Sequence, residues 1–191
     1  MYISQYLPSS VTFVIDGVQV QFENYSIFPE DKNIRFRISV SSPVEFPLCF
    51  RTPAWATGKN SYRVNGSETT PVSNDRGWME IKRQWRGGDI IEINYEFMLK
   101  FKAADDHHPD IVALCYGPFV LAADSMTLLK GDVHTPETWI HPVEGEYCVF
   151  ETDAGHVAGY NSIRRRFKPY YRIPEMEWYY LYCRIINPQN V

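Results

Sequence analysis

No stretch of this 191-residue sequence approaches 18 consecutive apolar residues, so no helix in it is suited to cross a membrane. Its four cysteines, Cys49, Cys115, Cys148 and Cys183, lie far apart with no Cys-x-x-Cys and no paired histidine spacing. That excludes a zinc ribbon and a thioredoxin-like motif. Each sits in an apolar, strand-like run, where a free thiol behaves as a small hydrophobe, although the spacing leaves disulfides open. There is no Gly-x-Ser-x-Gly elbow and no glycine-rich phosphate loop. Basic charge is also short: 19 Lys and Arg face 23 Asp and Glu, for a net charge of −4. A nucleic-acid face needs the opposite balance. The one basic run, Arg164-Arg165-Arg166, is followed by Phe167-Lys168-Pro169 and reads first as a solvated strand or turn, second as an anion site.

Aromatic residues are abundant, at 15 % of the chain with 13 Tyr, 11 Phe and 5 Trp. Such rings fit pleated, half-buried surfaces, so strands are favoured, and core packing is weighed ahead of sugar stacking. Met1 to Tyr6 alternates like a strand from the first residue, as expected of a chain that starts inside folded structure rather than with a leader peptide. Asp16-Gly17 between Val11–Ile15 and Val18–Phe22 predicts a hairpin, because a type I′ turn needs positive φ at both central residues. Asn65-Gly66 predicts a second. Ile34, Phe36, Ile38 and Val40 alternate with Arg35, Arg37 and Ser39, the pattern of a half-buried strand. Val44, Phe46, Leu48 and Phe50 repeat it, and Pro47, lacking an N–H, places that strand at an edge or bulge. Ile91, Ile93, Tyr95 and Phe97 alternate again, and no 3.6-residue period precedes them. Ile111 to Ala123 is almost wholly apolar and reads as buried on both faces. Asp124 to Leu129 is expected to form a helical turn, and Trp178 to Ile185 a closing strand. Many short strands with regular turn signals predict an all-β fold, a β-sandwich or jelly roll, in two packed units, residues 1–104 and 105–191.

Several clusters have chemical potential. Asp105-Asp106-His107-His108-Pro109-Asp110 is dense in metal-type donors, but adjacent residues of a loop point apart, so a solvated inter-domain loop is expected. Glu45, Glu80, Glu92 and Glu96 alternate with core positions and should face water, whereas a glycosidase pair needs two carboxylates roughly 5–10 Å apart across a cleft. Arg51 and Trp55, around Pro53, form either a recognition pair for a sugar or peptide, or a strand-end plug. Trp78, Trp85, Trp139 and Trp178 are further stacking candidates. Trp85, beside Gly87-Gly88, is expected to be the most loop-like and most accessible of them. No residue is assigned a catalytic or metal-binding role.

A series of landmarks runs through the chain in order. It comprises Tyr2-Ile3-Ser4-Gln5-Tyr6-Leu7-Pro8-Ser9, Phe50-Arg51-Thr52-Pro53-Ala54-Trp55, Val64-Asn65-Gly66 and Ile81-Lys82-Arg83-Gln84-Trp85-Arg86-Gly87-Gly88-Asp89. Val112 to Ala122, Phe167-Lys168-Pro169-Tyr170-Tyr171 and the Tyr179–Tyr182 region follow. The series resembles the C-terminal part of the β-L-arabinofuranosidase-like glycoside hydrolases, family 127 and its relatives. The resemblance implies a helical (α/α)6 catalytic barrel followed by β-sandwich modules, of which this chain is the sandwich part. In that family a cysteine nucleophile near zinc, with further cysteines and glutamates, lies in the barrel; no stretch here matches those motifs. The expected function is therefore a non-catalytic accessory module that braces a helical-barrel catalytic domain absent from this chain. A plant-type polysaccharide is the ligand implied for the whole enzyme. The alternative is a carbohydrate-binding module using Trp85, Trp55, Arg51 and Trp78; a third reading, an autonomous zinc-dependent glycosidase, needs a metal and a carboxylate pair. No cofactor, nucleic-acid partner or membrane partner is expected.

Overall fold

The computed structural model describes residues 1–186. The chain forms two compact units, Met1–Phe97 and Met98–Val191. The division falls ahead of the polar stretch 103–110, because the strand that precedes this stretch, Leu99–Ala103, pairs antiparallel with Ile111–Tyr116.

The first unit holds β1 (Tyr2–Ile3), β2 (Ser9–Ile15), β3 (Val18–Asn24), β4 (Asn33–Val40), β5 (Val44–Phe50), β6 (Ser61–Val64), β7 (Ser67–Glu68), β8 (Val72–Ser73), β9 (Met79–Trp85) and β10 (Asp89–Asn94). They form a four-stranded sheet, β1-β5-β9-β8, and a six-stranded sheet, β2-β3-β4-β10-β6-β7. The period-2 pattern turns one face of each sheet inward. Ile34, Phe36, Ile38, Ile91 and Ile93 from one sheet and Phe46, Leu48, Phe50, Ile81 and Trp85 from the other make one buried core. Phe36 meets Phe50 at 5.5 Å between ring centroids, and Phe13 meets Phe46 at 5.9 Å, across the layers of the sandwich.

Local turn chemistry sets the register. Asp16 and Gly17 take φ of 49° and 78°, and Asn65 and Gly66 take 52° and 78°, the two positive values a type I′ hairpin requires. Asp89, buried, ties two turns together: its carboxylate accepts from the Arg86 backbone N–H and the Asn65 amide, both at 2.8 Å. The Asn65 carbonyl oxygen in turn accepts from the Ile90 N–H at 2.8 Å. β5 is not an edge strand as Pro47 suggested, since β1 and β9 flank it, but β1 is so short that it pairs only with Cys49 and Phe50. The Cys49 and Arg51 N–H groups bond to Met1 and Ile3 on that side, so the N–H that Pro47 lacks would point past the end of β1.

The second unit holds β11 (Leu99–Ala103), β12 (Ile111–Tyr116), β13 (Phe119–Ala123), β14 (Leu128–Lys130), β15 (Ile140–Pro142), β16 (Phe150–Thr152), β17 (Arg166–Pro169) and β18 (Cys183–Ile186). All eight belong to one sheet, in the order β14-β18-β12-β13-β17-β16-β15 with β11 on β12. β11 and β15 stand five strand spacings apart, about 24 Å in a flat sheet. Yet Phe101 of β11 stacks on Trp139, the neighbour of β15, at 5.8 Å. The sheet therefore curls until its two ends face one another, so one sheet makes both layers around Leu114, Leu121, Leu129 and Phe167.

Two local expectations are corrected. Asp124 to Thr127 is a bend, not a helical turn, and leads into β14. The closing strand begins at Cys183: of the aromatic run before it, Tyr180 bridges to Ala123, and among the described residues the others find no partner strand despite their β propensity.

Candidate functional site

The turn after β5 is organised by its backbone. The Tyr6 hydroxyl donates to the Arg51 carbonyl oxygen, and the Tyr95 hydroxyl donates to the same oxygen at 3.0 Å. The two hydroxyls stand 2.8 Å apart. Burial pushes both phenols well above the ordinary tyrosine value near 10, so both stay protonated. The Arg51 side chain is exposed, while its N–H donates to the Ile3 carbonyl at 3.1 Å. Pro53 accepts from the Ala56 N–H at 2.9 Å and closes the turn.

Trp55 is half-buried in an aromatic cluster. It stacks on Phe28 at 6.2 Å and meets the edges of Tyr95 at 6.0 Å and Phe97 at 5.2 Å. Trp78, also half-buried, stands edge-on to Tyr2 at 5.1 Å, with the Arg76 guanidinium 5.7 Å from the Tyr2 ring. Trp85 is fully buried, against the expectation of an accessible loop ring. The reason is that β9 runs two residues past Arg83, which puts Trp85 in phase with Ile81 on the inward face. Its indole N–H donates to the Phe46 carbonyl at 2.9 Å, and the ring packs on Phe46 at 6.0 Å. Trp85 thus presents no ring to a sugar.

The reactive groups are drawn into structure. Cys49 lies between Glu80, to which its thiol donates at 3.6 Å, and the Asn74 amide at 3.7 Å. Burial, and then the Glu80 carboxylate, push its thiol pKa up. Burial also raises Cys115, and Cys183 to about 12. Thiols so shifted stay protonated near neutral pH, which makes them weak nucleophiles. Asp105 accepts the His107 and His108 N–H groups at 2.8 and 2.9 Å and holds the His108 ring at 2.9 Å, a closed turn rather than an open ligand set. Among the described residues no three His, Cys, Asp or Glu side chains gather in a metal-binding group. The basic run is matched by carboxylates: Arg164 by Glu151 at 3.6 Å, Arg165 by Asp124 at 2.7 Å, and Arg166 by Glu146.

The most exposed rings lie in the second unit. Met176 and Trp178 are 93 % and 89 % exposed, with Tyr170, Tyr171, Tyr179 and Tyr182 about half exposed. Residues 175–182 line an open cleft of about 740 Å³. Trp178 was singled out from the sequence only as one ring among several. Its neighbours Pro174, Glu175 and Glu177 mark a turn and were the local signal that this ring stands outside the sheet.

A family profile described as "Beta-L-arabinofuranosidase, GH127 middle domain" matches residues 1–97. The match is to a middle domain, which corrects the expectation that these residues are C-terminal in the family. No curated protein matches the chain. Among solved structures, a GH127 β-L-arabinofuranosidase from Geobacillus stearothermophilus T6 shares the fold with a TM-score of 0.74 and 20 % identity. The alignment covers 97 % of this chain and 33 % of that one. A GH127 β-arabinofuranosidase aligns with a TM-score of 0.72 and 18 % identity over 98 % of this chain and 36 % of its own. A protein described as a glycoside hydrolase gives 0.71 and 17 %, over 96 % and 35 %. The chain thus spans about a third of the length of these structures.

Proposed function

The chain belongs to the β-L-arabinofuranosidase family GH127 through its middle domain, and on that premise we propose that it is a non-catalytic accessory β-sandwich module of a glycoside hydrolase. Its partner in this reading is a separate helical-barrel catalytic domain, which it braces, with a plant-type polysaccharide as substrate of the whole enzyme. The observation that carries the reading is a coincidence of boundaries. The family match ends at residue 97, and the first compact unit ends at Phe97. The matched module is therefore a whole folding unit, with its own two-layer core.

Two further features support an accessory role. The cysteines whose titration is shifted are all held toward the thiol form. The exposed segment that carries Met176, Trp178, Tyr179 and Tyr182 is the kind of apolar patch at which one domain meets another. We assign that segment to contact with the catalytic domain, Trp55 and Trp78 to packing of the first unit, and Arg51 to the backbone hydrogen bonds that close the turn after β5.

The test is reconstitution with a separately produced helical catalytic domain of a GH127 enzyme. The expected result is a single co-eluting species, weakened by Trp178→Ala, together with no release of arabinose by this chain alone. Hydrolysis of an arabinofuranoside by the purified chain would overturn the reading. So would saturable heat on titration of the chain with arabinose-containing oligosaccharides.

A further inference from the structure

An asparagine followed by glycine carries its own reagent. Glycine has no side chain to shield its backbone nitrogen, which can attack the amide carbon before it. Of the asparagines in this chain only Asn65 precedes a glycine. It holds the first central position of the turn between β6 and β7, at φ 52°, and Asn65, Gly66 and Ser67 are all exposed. No atom stands within 4 Å of the place that a Cβ would take on Gly66, so water reaches the turn.

Three hydrogen bonds clasp Asn65 to the start of β10. Its N–H donates to the Ile90 carbonyl at 2.9 Å, its Oδ1 accepts from the Ile90 N–H at 2.8 Å, and its Nδ2 donates to the Asp89 carboxylate at 2.8 Å. Asp89 is buried, and its other oxygen accepts from the Arg86 N–H. Both ends of the Asn65 amide are thus engaged by β10, and attack by Gly66 requires that they let go. The turn itself does not demand an amide, since Asp16 fills the matching place between β2 and β3 at φ 49°. The clasp does demand one, because it needs a group that donates to Asp89 and accepts from Ile90 together.

We propose that Asn65 is a self-modification site, gated by Asp89, that converts a transient opening of this clasp into a permanent one. In the open turn the Gly66 nitrogen bonds to the Asn65 side-chain carbon. Its proton and the Asn65 amide nitrogen leave together as ammonia, and a five-membered succinimide remains. Water then opens the ring at one carbonyl or the other and leaves aspartate or isoaspartate at position 65. The step needs water and no oxidant or reductant. Either product sets a carboxylate where the donor to Asp89 stood, and two carboxylates so close repel. Isoaspartate also carries the main chain through Cβ, an extra atom that a two-residue turn cannot take. The clasp therefore stays open once the change has occurred.

The test is incubation of the full chain in mildly alkaline buffer, with peptide mapping by mass spectrometry over time. The expected result is a gain of about 1 Da at Asn65 ahead of every other asparagine. Asp89→Ala, which loosens the clasp, should speed that gain on the order of tenfold. If Asp89→Ala fails to fold, Asp89→Asn decides, with a smaller acceleration expected. Asn65→Asp stands for the aspartate product, and hydrogen exchange at Ile90 and Arg86 should rise on the order of tenfold in it. An unchanged Asn65 in the incubated chain, a rate indifferent to the Asp89 substitution, or native exchange in Asn65→Asp overturns the proposal.

Discussion

The hydroxyls of Tyr6 and Tyr95 lie 2.8 Å apart and share the carbonyl oxygen of Arg51. Tyr6 comes from the chain start, Arg51 from the turn after β5 and Tyr95 from the residue after β10, so one buried polar triangle joins three distant segments. Tyr95→Phe removes one donor and leaves the carbonyl to Tyr6 alone. A buried hydrogen bond of this kind contributes about 1–2 kcal/mol. Urea unfolding followed by fluorescence should show that loss, and Tyr6→Phe should show a similar one. Because either hydroxyl alone still donates to the Arg51 carbonyl, the double variant, which leaves that oxygen with neither, should cost more than the sum of the two.

The same pair predicts alkaline sensitivity. Both folded-state pKa values are raised by burial above the ordinary value near 10. The unfolded chain therefore releases these protons first, so the stabilisation is complete below about pH 10 and falls as the pH rises beyond it. Each group contributes a slope of about 1.4 kcal/mol per pH unit in that range. Absorbance titration of the tyrosines should leave these two hydroxyls protonated until the chain unfolds, and Tyr95→Phe should make the stability curve shallower above pH 10.

Trp85 tests the core. Trp85→Ala opens a cavity and should destabilise the chain by about 3–5 kcal/mol. Trp85→Phe keeps most of the packing but loses the indole hydrogen bond to the Phe46 carbonyl, at a cost of about 0.5–1.5 kcal/mol. Thermal melts of both variants, in that order of severity, check the burial of this ring.

Asp89 joins two turns through Arg86 and Asn65. Asp89→Ala strands two donors at once, and we expect a loss of about 2 kcal/mol. Asp89→Asn should recover part of it, since one amide oxygen can still accept. Hydrogen exchange should show the loosening at Ile90 and Arg86 rather than across the whole unit.

Trp178 predicts the opposite behaviour. Its ring is almost wholly exposed, so Trp178→Ala should leave the melting temperature of the chain unchanged. The same substitution should weaken the complex with a catalytic domain, which separates a surface role from a core role.

Much of the fold is legible in the sequence. The hairpins at Asp16-Gly17 and Asn65-Gly66, the inward faces of β4 and β10 and the missing ladder bond at Pro47 all follow from adjacent residues. Positive φ, a missing N–H and a period of two are properties of a few consecutive positions, and the backbone obeys them wherever the segment sits. The landmarks that resemble family 127 were legible for a similar reason, as short runs in a fixed order.

Other features depended on partners distant in sequence. Trp85 sits beside two glycines and looks like a loop residue, yet β5 stands opposite and extends β9 through it. Trp178-Tyr179-Tyr180-Leu181-Tyr182 has the composition of a strand, yet among the described residues only Tyr180 meets a strand, at Ala123, and Trp178, Tyr179 and Tyr182 stay exposed. The Arg164–Arg166 run was ambiguous until Glu151, Asp124 and Glu146 were brought against it. The division at Phe97 rests on the pairing of β11 with β12. The sequence by itself determined where the chain can turn and which face of each strand is apolar, because those are local properties of the backbone and its side chains. Only the tertiary structure decided which rings are buried and which charges are paired, because burial and pairing belong to what the fold places opposite a residue.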